Sequence, residues 1–156
     1  MSLETSGFHV TMMLADSAQA IENKLYILGG GWSITGPEPS PSAIALQIKV
    51  PWTETNKRHE MRLELLDPDG QPVALDSPVG RQPLVLQTDF EVGRPPGIKQ
   101  GSPIDLALAI NIGPLPLEPD SRYEWRLHLD DETREDWTLQ FSTRPRQEGP
   151  TRPVGP

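Results

Sequence analysis

The sequence predicts an all-β chain, an antiparallel two-sheet β-sandwich of about seven to eight strands. Apolar residues recur at every second position in one segment after another, the period of a strand half buried in a sheet. Turn-forming residues separate those segments, and most of the eighteen prolines fall between them. The chain has 156 residues and no cysteine, so packing rather than disulfides must hold it together.

The period is clearest in SRYEWRLHLD, where Tyr123, Trp125, Leu127 and Leu129 share one face and Glu124, Arg126, His128 and Asp130 the other. Phe8, Val10, Met12 and Leu14 repeat it, as do Ile44, Leu46, Ile48 and Val50. Met61, Leu63 and Leu65 follow, then Leu84, Leu86, Phe90 and Val92. Ile104, Leu106, Leu108, Ile110 and Ile112 form the next face, and Trp137, Leu139 and Phe141 the last. KLYIL, residues 24–28, is apolar on both faces, which predicts a central strand. ADSAQAIENK, residues 15–24, has the composition of one or two helical turns. DPDG at 67–70 reads as a tight turn, and DDETRED at 130–136 as a hairpin loop. Irregular loop lengths favour the sandwich over the alternative, a small closed barrel.

The domain reading is an extension over 1–7, one sandwich over 8–143 and a disordered Pro/Arg-rich tail over 144–156. Fourteen basic against 22 acidic residues give a formal charge of −8, which repels nucleic acid and anionic lipid. No apolar run approaches the roughly 18 residues of a membrane span, and the first residues lack a signal-peptide pattern. A cytoplasmic protein is expected.

LYILGGGWSITGPEPSPS, residues 25–42, invites a phosphate-loop reading, because Gly31 and Gly36 stand at the right separation. Pro37 and Glu38 then occupy the places of the lysine and hydroxyl that such a loop needs. Ile34 replaces the third glycine of a dinucleotide fingerprint. The stretch reads instead as a strand end at Gly29, Gly30 and Gly31, with Trp32 covering one end of the sandwich.

His9, His59 and His128 have no metal-site spacing, and His9 and His128 fall on the polar phase of their strands. No serine or histidine pattern marks a nucleophile. No catalytic residue, metal or cofactor is expected, although carboxylates paired across loops leave a hydrolase open. Trp125 and Trp137 are in phase with the core. Trp32 and Trp52 lie at loops, where an indole serves as a ligand platform, an interface anchor or a cap on the core. The leading expectation is a non-enzymatic interaction or scaffold module whose partner is another protein or a second copy of the chain. The alternative is a small-ligand or carbohydrate module using Trp32, Trp52 and the glycine stretch.

Leu117, Pro119 and Tyr123 in LEPDSRYEWRLHL resemble the tyrosine corner of immunoglobulin-like and fibronectin type III-like domains. The resemblance implies a buried phenol bonded back to the corner's backbone. Residues 8–143 as a whole resemble a family of small bacterial proteins, typically actinobacterial, classed as a domain of unknown function. The segments that carry this are LADSAQ, KLYILGGGW and RLELLDPDGQPV. That resemblance implies a recurring fold and no activity.

Overall fold

Ile44, Leu46, Ile48 and Val50 are completely buried on the inner face of β4 (Ser42–Val50), the strand around which the sandwich is organised. In the computed structural model, residues 7–147 are described. β4 lies between β1 (His9–Ile21) and β9 (Ile104–Ile112), with β2 (Lys24–Gly30) outside β1, giving the order β2-β1-β4-β9. The facing sheet has the order β3-β11-β10-β5-β8. Its strands are β3 (Ile34–Thr35), β5 (His59–Leu66), β8 (Val85–Phe90), β10 (Arg122–Leu129) and β11 (Thr138–Thr143). β6 (Ala74–Ser77) and β7 (Gly80–Pro83) make a separate two-stranded ribbon.

The core is the interdigitation of the two inner faces. Leu14 and the β4 residues meet Met61, Leu63, Leu65, Trp125, Leu127 and Leu129. Trp125 and Trp137 are both about fully buried, as their phase predicts. The period-two faces are therefore the core faces, and alternate residues point outwards.

Four expectations need correction. Among the described residues there are eleven strands rather than seven or eight. The additional ones are short: β3 has two residues, and β6 and β7 have four each. Such strands bury no alternating face, so they leave no period to read. The pairing of β11 with β3 is parallel, the exception in an otherwise antiparallel arrangement. Residues 15–21 of the helix-like segment continue β1 as the first strand of the β1–β2 hairpin, where Ala15 and Ala18 pack against Ala43 and Ala45 of β4. KLYIL belongs to an edge strand, not a central one.

The connections behave as their chemistry predicts. Asp67 Oδ1 accepts from the amides of Asp69 and Gln71 while Gly70 takes a positive φ of 78°, which closes the DPDG turn. A single 3-10 turn, Trp52–Glu54, follows β4. The first residues of the 144–156 segment are tied down: the Arg144 amide donates to Thr35 O, and its carbonyl accepts from Asp120. The rest of that segment, 148–156, and residues 1–6 of the N-terminal extension lie outside the described residues.

The tyrosine corner is formed. Tyr123 is buried, its hydroxyl accepts from the Glu118 amide at 2.8 Å, and its ring stacks on Phe141 at 5.7 Å. Leu117 packs against the core beside it, and Pro119 is half-buried. Tyr123→Phe leaves the Glu118 amide without that acceptor. We expect a loss of about 1 kcal/mol or more in urea denaturation; an unchanged midpoint would refute the role of the bond.

Candidate functional site

The β1–β2 hairpin begins with a two-residue turn. Glu22 and Asn23 both have positive φ, 52° and 58°, the combination that matches the twist of a tight hairpin. The register that follows pairs Ile21 with Lys24, Gln19 with Tyr26 and Ser17 with Leu28. β1 leaves β4 after Ala15, and the hairpin folds back across the outer face of its own sheet.

Small residues make that fold-back feasible. Ala15, Ala18, Ala43 and Ala45 are buried together, with Met13, Leu25, Ile27 and Ala109 packed against them. Larger side chains at these positions would hold the hairpin off the sheet. Two asparagines then fasten it. Asn111 on β9 accepts from the Ala18 amide at 3.2 Å and donates to the Ala18 carbonyl at 2.8 Å. Asn23 at the hairpin tip accepts from the Ala107 amide at 2.8 Å and donates to Asp105 O at 2.7 Å. Both Asn23 bonds go to the outer edge of β9, which is thereby capped at Asp105 and Ala107.

The hairpin's opposite face is open. Leu28 is 70% exposed, Tyr26 53% and Ile21 50%, in a row that alternates with the inward-facing Leu25 and Ile27. β2 is the terminal strand of its sheet, so among the described residues one side of its backbone has no strand neighbour. The strand ends at the glycines. Gly29 has φ 61°, and a Cβ there would collide with the Asp16 carboxylate. Gly30 faces the Ile27 side chain, where a Cβ would come within 2.6 Å of Cγ2. Gly31 donates to Leu14 O at 2.7 Å and carries the chain towards Trp32.

Trp32 is half-buried and packs against the core, with its ring edge-on to Phe141 at 6.1 Å. Its indole N–H is buried without a hydrogen-bond partner among the described residues. The adjacent cavity, walled by Leu14, Pro37, Pro39, Leu115 and Leu117, measures about 30 Å³. That is room for water, against the roughly 300 Å³ and more of ordinary ligand pockets. Trp52 is also half-buried, and one face of its ring lies under the Arg94 guanidinium at 3.8 Å. Arg94 is held there by Thr55 Oγ1 at 2.7 Å and Trp52 O at 3.0 Å. Trp32 thus packs on the core and Trp52 under Arg94, whereas Tyr26 and Leu28 belong to the exposed row.

His59 is the functional-looking group that motif spacing misses. It lies in phase with Met61, Leu63 and Leu65, and that phase is the signal that places it inside. It is 2% exposed, between Phe8 and Phe90. Its Nδ1 meets Asp130 Oδ2 at 2.6 Å and its Nε2 meets Glu54 O at 2.8 Å. Both partners are acceptors, so the ring satisfies both only as the doubly protonated cation. Burial pulls its pKa down, but the Glu54 carbonyl bond, the Asp130 bond and the nearby negative charges outweigh it, and the value is raised above 6.5. Asp130 is likewise pushed up by burial, then carried below 3.8 by bonds from His59 and the Glu60 amide and by the His59 charge. The pair locks β5, β10 and the 3-10 turn together. His9 is exposed, and His128 pairs with Glu64 at 3.0 Å. Among the described residues, no three His, Asp or Glu side chains are grouped to hold a metal ion. No helix there is long and apolar enough to cross a membrane.

A model for a family of unknown function matches residues 10–142. The chain belongs to that family, DUF6941. The segments LADSAQ, KLYILGGGW and RLELLDPDGQPV lie within the matched residues. No curated protein matches the sequence. One solved structure to which it is similar is the sensor domain of the anti-sigma factor RsgI4 in Pseudobacteroides cellulosolvens. The identity is 12% over 92% of this chain and 97% of that one, with a TM-score of 0.36, too low to carry a conclusion.

Two outcomes follow from these contacts. Asn23→Gly keeps the left-handed turn but removes both bonds to β9. It should lower stability by about 1 kcal/mol and speed hydrogen exchange at the Ala107 amide; unchanged exchange there would show that the tip is not fastened. The raised His59 pKa makes its contribution complete below pH 6.5 and lost as pH rises through the folded value. The lowered Asp130 pKa makes its contribution present above pH 3.8 and lost as pH falls through its folded value. Melting temperature should therefore decline above pH 6.5 in the wild type and decline less in Asp130→Asn. Parallel profiles would rule the pair out as the cause.

Proposed function

We propose that this protein is a non-enzymatic interaction module that captures an extended protein segment along β2. The observation that carries this reading is the open backbone edge of β2 beside the exposed row Ile21, Tyr26 and Leu28. A segment added there gains main-chain hydrogen bonds, and the row supplies apolar contact for alternate side chains. Covering a side chain such as Leu28 is worth about 1.5–3 kcal/mol. The glycine stretch belongs to this reading as the element that ends the edge, rather than as a ligand loop.

A small-ligand reading centred on Trp32 and Trp52 has less support. The space beside Trp32 is small, and Arg94 already occupies one face of Trp52.

Leu28→Lys should leave the fold intact, because the side chain is mostly in solvent. Immobilised wild-type protein should retain a partner from host extract that the variant binds about 10-fold to 100-fold more weakly. Equal retention by both proteins would overturn the β2 reading, and so would retention by neither when a tagged second copy of the chain is added to the extract.

A further inference from the structure

We propose that the segment added to β2 is the β2 strand of a second copy of this chain, paired antiparallel about a two-fold axis at Tyr26. This deepens the interaction reading above and rests on it. The argument starts from the hairpin register. Ile21 and Lys24 close the two-residue turn as a hydrogen-bonded pair, and such pairs alternate along an antiparallel ladder. Lys24, Tyr26 and Leu28 therefore turn their backbone groups towards β1. Leu25 and Ile27 turn theirs outwards. The bonds of Ala18 check this assignment: it stands opposite Ile27, and its N–H and C=O point away from β2 into the Asn111 side chain.

The free edge is thus short and defined. Gly29, with φ 61°, ends its regular geometry on one side, and the turn ends it on the other. Leu25 and Ile27 are spaced symmetrically about Tyr26. An antiparallel copy centred on Tyr26 pairs Leu25 with the partner's Ile27 and Ile27 with the partner's Leu25, each pair exchanging both bonds. Every outward N–H and C=O of the two residues is then satisfied.

The side chains fit the same register. Tyr26 meets the partner's Tyr26 as a close cross-strand aromatic pair. Lys24, the one charge on the strand, meets the partner's Leu28, so no like charges oppose each other. The strand has no proline and no inward-pointing charge to block pairing. The opposite edge of the sheet, at β9, is capped by Asn23 at Asp105 and Ala107. The product is a four-stranded outer layer in place of a lone hairpin, which gains stability from the added strands. Two copies each carrying a charge of −8 repel, so salt should tighten the dimer.

The absence of cysteine allows a direct test. Tyr26→Cys supplies a single thiol at the axis, where opposed Cα atoms lie about 4.5 Å apart, within disulfide reach. Leu28→Cys supplies a more exposed thiol whose copy is four residues further along, about 13 Å away. Under mild oxidation Tyr26→Cys should form covalent dimer at least about tenfold faster than Leu28→Cys, and unfolding in urea should abolish the difference. Equal rates, no coupling of either variant, or a preference that persists in urea would overturn the homodimer. If the Leu28→Lys defect in partner retention still holds, the β2 edge reading survives and the partner is a different protein.

Discussion

The outer half of the molecule depends on alanines. Ala43 and Ala45 on β4 and Ala109 on β9 leave a shallow floor on the sheet, and Ala15 and Ala18 on β1 meet it from the hairpin side. A floor of valine or leucine would cost overpacking where the hairpin now rests, on the scale of about 1–3 kcal/mol per site. With alanine there, Leu25 and Ile27 fill the remaining depth, and β4 becomes buried on both faces. Asn111 and Asn23 can then reach across, because the backbone they bond lies at the right height. The floor thus decides both which sheet edge is closed and which is left open.

That same floor explains where sequence reading failed. An alanine-rich run such as ADSAQAI has helix-forming composition, yet here alanine is chosen for thinness under a neighbouring layer. Propensity yields to tertiary contact. KLYIL is apolar on both faces, as a central strand would be, but for unequal reasons. Leu25 and Ile27 cover the floor, while Tyr26 and Leu28 are exposed among the described residues. A double-sided apolar strand marks two contacting layers, and the sequence does not say whether the second layer belongs to the same molecule.

What was legible was the part governed by period two. The Tyr123–Leu129, Ile44–Val50 and Met61–Leu65 faces are the core. The corner around Leu117, Pro119 and Tyr123 was readable too, because a local motif fixes its hydrogen bond. His59 was readable in phase but not in role. Its partners, the Glu54 carbonyl and Asp130, come from a turn and from the end of β10, and no spacing rule links Asp130 to His59. The β2 edge could be quoted from the sequence as a signature, but its openness depends on strand order, which pairing between distant segments decides.

A hairpin of two strands is ordinarily too mobile to serve as a docking edge, since a binder must then supply the ordering cost. Here that cost is already met within the fold. The tip is bonded to β9, the middle is bonded through Ala18, and the underside is packed on alanine. A strand arriving at β2 meets backbone groups already held in the extended geometry that pairing requires. The fastening of Asn23 and the exposure of Tyr26 are therefore two halves of one arrangement. Closing the β9 edge with the hairpin tip holds the hairpin still, and a hairpin held still presents β2 as a rigid template.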